Sequence, residues 1–109
     1  MKAEPLPKTL FSKLKKAKVT EVTLRWMGGS DEANLDVFLR GATERELPLL
    51  LKEEVELWAW EVYSYSGAGD GTDYGDDVVY DLVKGEVSTQ EWSSAPVYSG
   101  KDINKLEVK

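Results

Sequence analysis

The chain has 109 residues, 41% hydrophobic and 31% charged, with a formal net charge of −6 and neither cysteine nor histidine. That length holds one domain with one modest core, and the composition is that of a folded soluble chain, which excludes a disordered one. Without cysteine or histidine there is no disulfide framework, zinc finger, thiol nucleophile or imidazole base.

The charge is unevenly spread. Six lysines against Glu4 give residues 1–18 a charge of +5; subtracting that from −6 leaves −11 for residues 19–109. Bulk acidity argues against a general nucleic-acid binder, because phosphate affinity rests on Lys and Arg. The N-terminal sequence has no apolar stretch of signal-peptide type, and no apolar run approaches membrane-spanning length, so a cytoplasmic protein without membrane contact is expected.

The first element, "LPKTLFSKLKKAKV", places Leu6, Leu10 and Leu14 four residues apart with lysines between them. This predicts an amphipathic helix of roughly three turns, with Pro7 in its first turn. "VTEVTLRWMG" alternates, turning Val22, Leu24 and Trp26 to one side. After the turn residues "GGSDEAN", "LDVFLRG" alternates through Leu35, Val37 and Leu39, which predicts an antiparallel hairpin. The longest periodic stretch follows. Leu47, Leu51, Val55, Trp58, Val62 and Tyr65 are spaced by 3 or 4 and predict a helix of about five turns, with Pro48 in its first turn. "VELWAWEVYSY" is also rich in strand formers, so a strand over 55–65 is the competing reading. "GAGDGTDYGDD" reads as a connector. "DVVYDLV" and "EVSTQEW" then flank Lys84-Gly85 as a second hairpin. Residues 1–6 and 99–109 are weakly patterned and read as mobile tails. The expected architecture is a single α+β domain of order α-β-β-α-β-β, with a four-stranded antiparallel sheet and two helices on one face.

That order resembles a family of small uncharacterised bacterial and mobile-element proteins, a domain of unknown function. The similarity covers about residues 10–92. It rests on "VTLRWMGGSDEANLDV", on an "LP" lead into "ELWAWEVYSY", and on "GDGTDYGDDVVYDLVKGEVS". The resemblance implies the topology and brings no activity. Its mobile-element context implies an accessory or inhibitory role.

In this topology the turn after the first strand and the connector before the third lie at one end. Asp31, Glu32, Asp70, Asp73, Asp76 and Asp77 should gather there, opposite Lys13, Lys15, Lys16 and Lys18. One reading is a calcium site built from loops 28–34 and 67–77, with Asp70, Asp73, Asp76 and Asp77 as ligands. Thr72 and Tyr74 occupy the third and fifth places counted from Asp70, so the EF-hand spacing fails, and a solvated turn is the plainer account. A phosphate cradle lacks its lysine, and four carboxylates would repel the anion. Paired carboxylates could serve a hydrolase, but among 20 acidic residues close pairs arise by chance. The remaining reading is a non-enzymatic interaction module without a cofactor. Trp60, opposite the Trp58 stripe, and Phe38, opposite Leu35 and Val37, would be its anchors, and Asp31, Glu32, Asp70 and Asp73 would attract a basic protein surface. Phe38 covered by a second copy would make a homodimer. Contact of Lys13, Lys15, Lys16 and Lys18 with nucleic acid competes with the plain solvated face of a helix.

Overall fold

The computed structural model of the protein describes residues 2–28, 33–41, 50–65, 74–93, 97–98 and 100–109. Its elements are α1 (Lys8–Lys16), β1 (Glu21–Gly28), β2 (Asn34–Arg40), α2 (Leu51–Val62), β3 (Tyr74–Asp81), β4 (Glu86–Ser93), β5 (Val97–Tyr98) and β6 (Asp102–Lys105). The strands form an antiparallel sheet of order β2-β1-β3-β4-β5, and β6 also pairs with β4.

The expected four-stranded sheet is therefore corrected to a five-stranded path with β6 beside it. β5 pairs with the Trp92–Ser93 end of β4, and β6 pairs with Glu86 to Thr89. The reason is physical. All four residues of β6 are exposed, so no inward side chain imprints an alternation on its sequence. Its place comes from backbone hydrogen bonding to the edge of β4, which any residue can supply.

Alternation fixes the rest of the sheet. Val22, Leu24 and Trp26 of β1 are fully buried, and register continues that face through Val37, Val78, Tyr80 and Val87. Leu10 and Leu14 of α1 and Leu51, Val55, Trp58 and Ala59 of α2 complete the same core, so both helices cover one face. Lys13 of α1 pairs with Glu54 of α2 at 2.9 Å.

α1 follows Pro7, whose carbonyl accepts the Phe11 N–H. It ends in a left-handed turn. Val19 N–H donates to the Leu14 carbonyl and Lys18 N–H to the Lys15 carbonyl, with Lys18 at φ 64°. This is the Schellman arrangement, carried by lysine where glycine is usual.

α2 settles the helix-or-strand question as helix for residues 51–62. Its expected start near Leu47 lies outside the described residues. The expected stripe through Val62 and Tyr65 is cut short. Ala59 takes the inward place and Val62 is 38% exposed. Tyr63 leaves the helix with φ −101° and ψ 131°, so from there the chain is extended and alternates, with Tyr63 buried, Ser64 exposed and Tyr65 half-buried.

The second hairpin forms, but β3 ends at Asp81 and the turn takes the four residues 82–85 rather than Lys84-Gly85 alone. Gly85 adopts φ 69°, and the Asp81 carboxylate accepts the Val83 and Lys84 N–H groups. Residues 6–8 and 107–109 are stitched together. Leu6 N–H donates to the Glu107 carbonyl, Lys109 N–H to the Leu6 carbonyl, and Leu6 is fully buried.

Candidate functional site

Trp26 ends the inner row of β1, and its neighbour across β3 is Asp76. Aromatic rings surround it. Trp60 meets it edge-on with centroids 4.8 Å apart, Tyr65 stacks at 5.4 Å, and Tyr63 lies at 5.7 Å. Trp58 extends the cluster to Tyr63 and Tyr80, and Tyr74 lies 6.2 Å from Tyr65. Edge-on and offset ring contacts add to plain area burial. The cluster exists because α2 presents Trp58 to the core and then Trp60 to its rim, and the extended Tyr63–Tyr65 segment folds back over Trp26.

Beneath the cluster the N-terminal segment is tied into a closed ring of hydrogen bonds. Glu4 N–H donates to the Tyr63 hydroxyl at 2.8 Å, Tyr63 donates to Tyr80 at 2.5 Å, and Tyr80 donates to the Glu4 carbonyl at 2.8 Å. One direction of donation around the ring satisfies both hydroxyls and both backbone groups. Burial pushes the Tyr63 and Tyr80 hydroxyls above the ordinary tyrosine range, and for Tyr80 the Tyr63 neighbour adds to it.

The rim of the cluster is acidic. Burial raises the pKa of the half-buried Asp76 carboxyl, and Glu91 across β4 pushes the same way. Burial also raises the Tyr65 hydroxyl, with Asp76 as the next cause. A shallow, open depression of about 370 Å³ lies here, lined by Lys2, Glu4, Val62, Tyr63, Tyr65 and Asp76. On the outer side of α2, Leu57 is 67% exposed and Trp60 45%, with Glu53, Glu56 and Glu61 on the same helix. The last turn of α2 contains no basic residue, so Glu61 stands at the negative end of the helix dipole.

The candidates from the sequence are distributed as follows. Trp60 is on the rim of the aromatic cluster. Phe38 is 44% exposed on the opposite face of the sheet, which neither described helix covers, with the Arg25 guanidinium 5.9 Å from its ring centroid. The two anchors therefore do not share a surface. Asp76 and Asp77 belong to β3 rather than to the connector before it, so alternation splits them. Asp76 faces the aromatic cluster, while Asp77 on the open face forms a two-bond pair with Arg25 at 3.0 and 3.2 Å. Asp31, Glu32, Asp70 and Asp73 lie outside the described residues, and with them most of the expected calcium loops. Among the described residues no group of three or more acids, histidines or cysteines is placed to hold a metal ion.

Register sets Gly28 beside Tyr74, so the last residue of β1 and the first of β3 lie together at one end of the sheet; the loops expected to gather there lie outside the described residues. The opposite end is mixed in charge. Lys13 is paired with Glu54, and Lys15 lies 3.4 Å from the Leu82 carbonyl. A cross-strand row there runs Arg40, Glu21, Asp81, Glu86, Lys105. No helix among the described residues is long and apolar enough to cross a membrane.

Sequence reasoning missed Tyr63, Tyr65 and Asp76 as members of one site. The usable signal was "YSY" itself, where alternation replaces helical spacing. Comparison with family models, curated proteins and solved structures returns no match.

Proposed function

We propose that the chain is a small non-enzymatic interaction module that docks a basic protein surface on the outer side of α2 and the adjoining aromatic rim. The observation that carries this is Trp60, nearly half exposed yet held edge-on against the buried Trp26. A large exposed ring already fixed in place loses little freedom on binding, which is what makes tryptophan a frequent interface anchor. Leu57, three residues before Trp60 on the same side of α2, enlarges the apolar patch. Glu53, Glu56 and Glu61 with the dipole of α2 give it a negative surround that favours cationic partners and hastens their encounter. An accessory or inhibitory role, as the family resemblance implies, suits such a module.

The test is capture from lysate by the immobilised chain, wild type against Trp60→Ala, at low and high salt, with bound proteins identified by mass spectrometry. The expected partners are basic, retained by the wild type, largely lost with Trp60→Ala, and released as salt screens the acids. Partners that are uniformly acidic, or a retained set unchanged by salt and by Trp60→Ala, would sink the reading.

A further inference from the structure

β2 is the edge of the sheet, and among the described residues its strand neighbour is β1 alone. Its free side is identifiable. The Arg40 carbonyl accepts the Thr20 N–H on the β1 side at 2.8 Å. Peptide groups alternate in direction along a strand, so the N–H and C=O groups of Leu35, Val37 and Leu39 face away from the sheet. Such an edge is a ready template for another strand. Charge, a bulge or proline often blocks such edges; β2 has no proline, and its two charges are of opposite sign.

We propose that this edge pairs with β2 of a second copy, antiparallel, about a two-fold axis through Phe38. The axis must be perpendicular to the sheet for the inner faces of both copies to stay on one side. Opposed residues then have the same parity, so the axis passes through a residue. An axis through Asp36 sets two carboxylates against each other. An axis through Val37 sets each Asp36 against a Phe38 ring. The axis through Phe38 sets Asp36 opposite Arg40 of the second copy twice over, Val37 opposite Leu39 on the inner face, and the two Phe38 rings against each other. Opposite charges and aromatic pairs directly across strands are favourable, and like charges are not. The charge sequence of β2 is thus complementary to itself in one register. Arg40 is loosely engaged within its own chain, 3.8 Å from Glu21 and largely exposed, so it can reach across. With Val37 and Leu39 carrying the intermolecular hydrogen bonds, Phe38 falls at a non-hydrogen-bonded place, where side chains approach most closely. The 44% exposure of Phe38 is then the free-monomer state of an isologous contact. The inference is independent of the α2 surface.

The chain contains no cysteine, so single thiols report the register directly. Phe38→Cys brings two thiols together at the axis, where Cα atoms about 4.5 Å apart suit a disulfide. Mild oxidation should convert this variant largely to a covalent dimer. Asp36→Cys places its thiols four residues out of step, about 13 Å apart along the strands, and should stay single on a non-reducing gel. Equal cross-linking of both variants, or of neither, overturns the proposal. Sedimentation provides the second arm. The untreated chain should show a concentration-dependent dimer. Asp36→Arg or Arg40→Asp alone should weaken it about tenfold or more, and the double exchange should restore it. Trp60→Ala should leave it unchanged, which separates this contact from the α2 surface. A monomer at several hundred micromolar, or a double exchange no better than the singles, overturns it. Circular dichroism of each variant confirms that the fold is retained.

Discussion

The ring formed by Glu4, Tyr63 and Tyr80 makes a quantitative prediction for Tyr80→Phe. The substitution keeps the buried ring and removes one oxygen. That oxygen donates to the Glu4 carbonyl at 2.8 Å and accepts from the Tyr63 hydroxyl at 2.5 Å. Each hydrogen bond contributes about 1 kcal/mol net, and a polar group left unpaired in the interior costs about 1–3 kcal/mol. Tyr80 is fully buried and Tyr63 nearly so, so the orphaned Tyr63 hydroxyl is poorly placed to recover its loss from water. The expected cost is about 2–3 kcal/mol. For a domain of this size it corresponds to a fall in melting temperature of roughly 10 °C. Tyr63→Phe should cost a similar amount, since it removes the acceptor of the Glu4 N–H. The bond between the two hydroxyls is shared, so the double substitution should cost about 1 kcal/mol less than the sum of the singles. Thermal and urea unfolding at pH 7 measure all three. A melting point for Tyr80→Phe within about 2 °C of wild type, or strict additivity in the double variant, would refute the closed ring.

Four further outcomes follow from the same geometry. In the folded state the Tyr63 and Tyr80 hydroxyls are raised above the ordinary value of 10.0; their contribution is complete below that value and is lost as pH climbs through the raised one. Absorbance titration should therefore show these two ionising together with loss of the fold, and early ionisation with the fold intact would contradict their burial. Asp76 is also raised above its ordinary 3.8, so its protonated form is the one the fold prefers, and that contribution disappears as pH rises through the raised value. Asp76→Asn should melt higher than wild type at pH 7, with the difference closing towards pH 3; a lower melting point at pH 7 counts against this account. Lys18→Gly should stabilise by about 1 kcal/mol, because a left-handed φ costs lysine what it does not cost glycine, and no gain in urea unfolding would contradict the strain. Gly75→Ala should destabilise by roughly 3 kcal/mol, since a Cβ there would overlap the Trp26 carbonyl oxygen and the Trp92 ring; a near-neutral variant would show that this packing yields.

How much was legible in the sequence depended on what each residue had to encode. Val22, Leu24 and Trp26, and Leu10 with Leu14, announced their buried faces through spacing, because an element half covered by core must repeat its apolar residues at its own period. Lys84-Gly85 announced a turn because only a few residues accept a positive φ there. Both hairpins and the helical character of residues 51–62 were accordingly readable. Three features were decided only by the tertiary structure. β5 and β6 pair with the edge of β4 through the backbone, and in β6, exposed at all four residues, that leaves no side-chain pattern. β3 begins at Tyr74 rather than at Asp77, because Gly75 lies beneath Trp92 and pairs with Met27; this assigned Asp76 and Asp77 to opposite faces. α2 stops at Val62, where Tyr63 finds Tyr80 and the Glu4 backbone, partners 17 and 59 positions distant. Periodicity states which side of an element is inward. It does not state which distant residue waits there, and the aromatic cluster around Trp26 is built from such meetings.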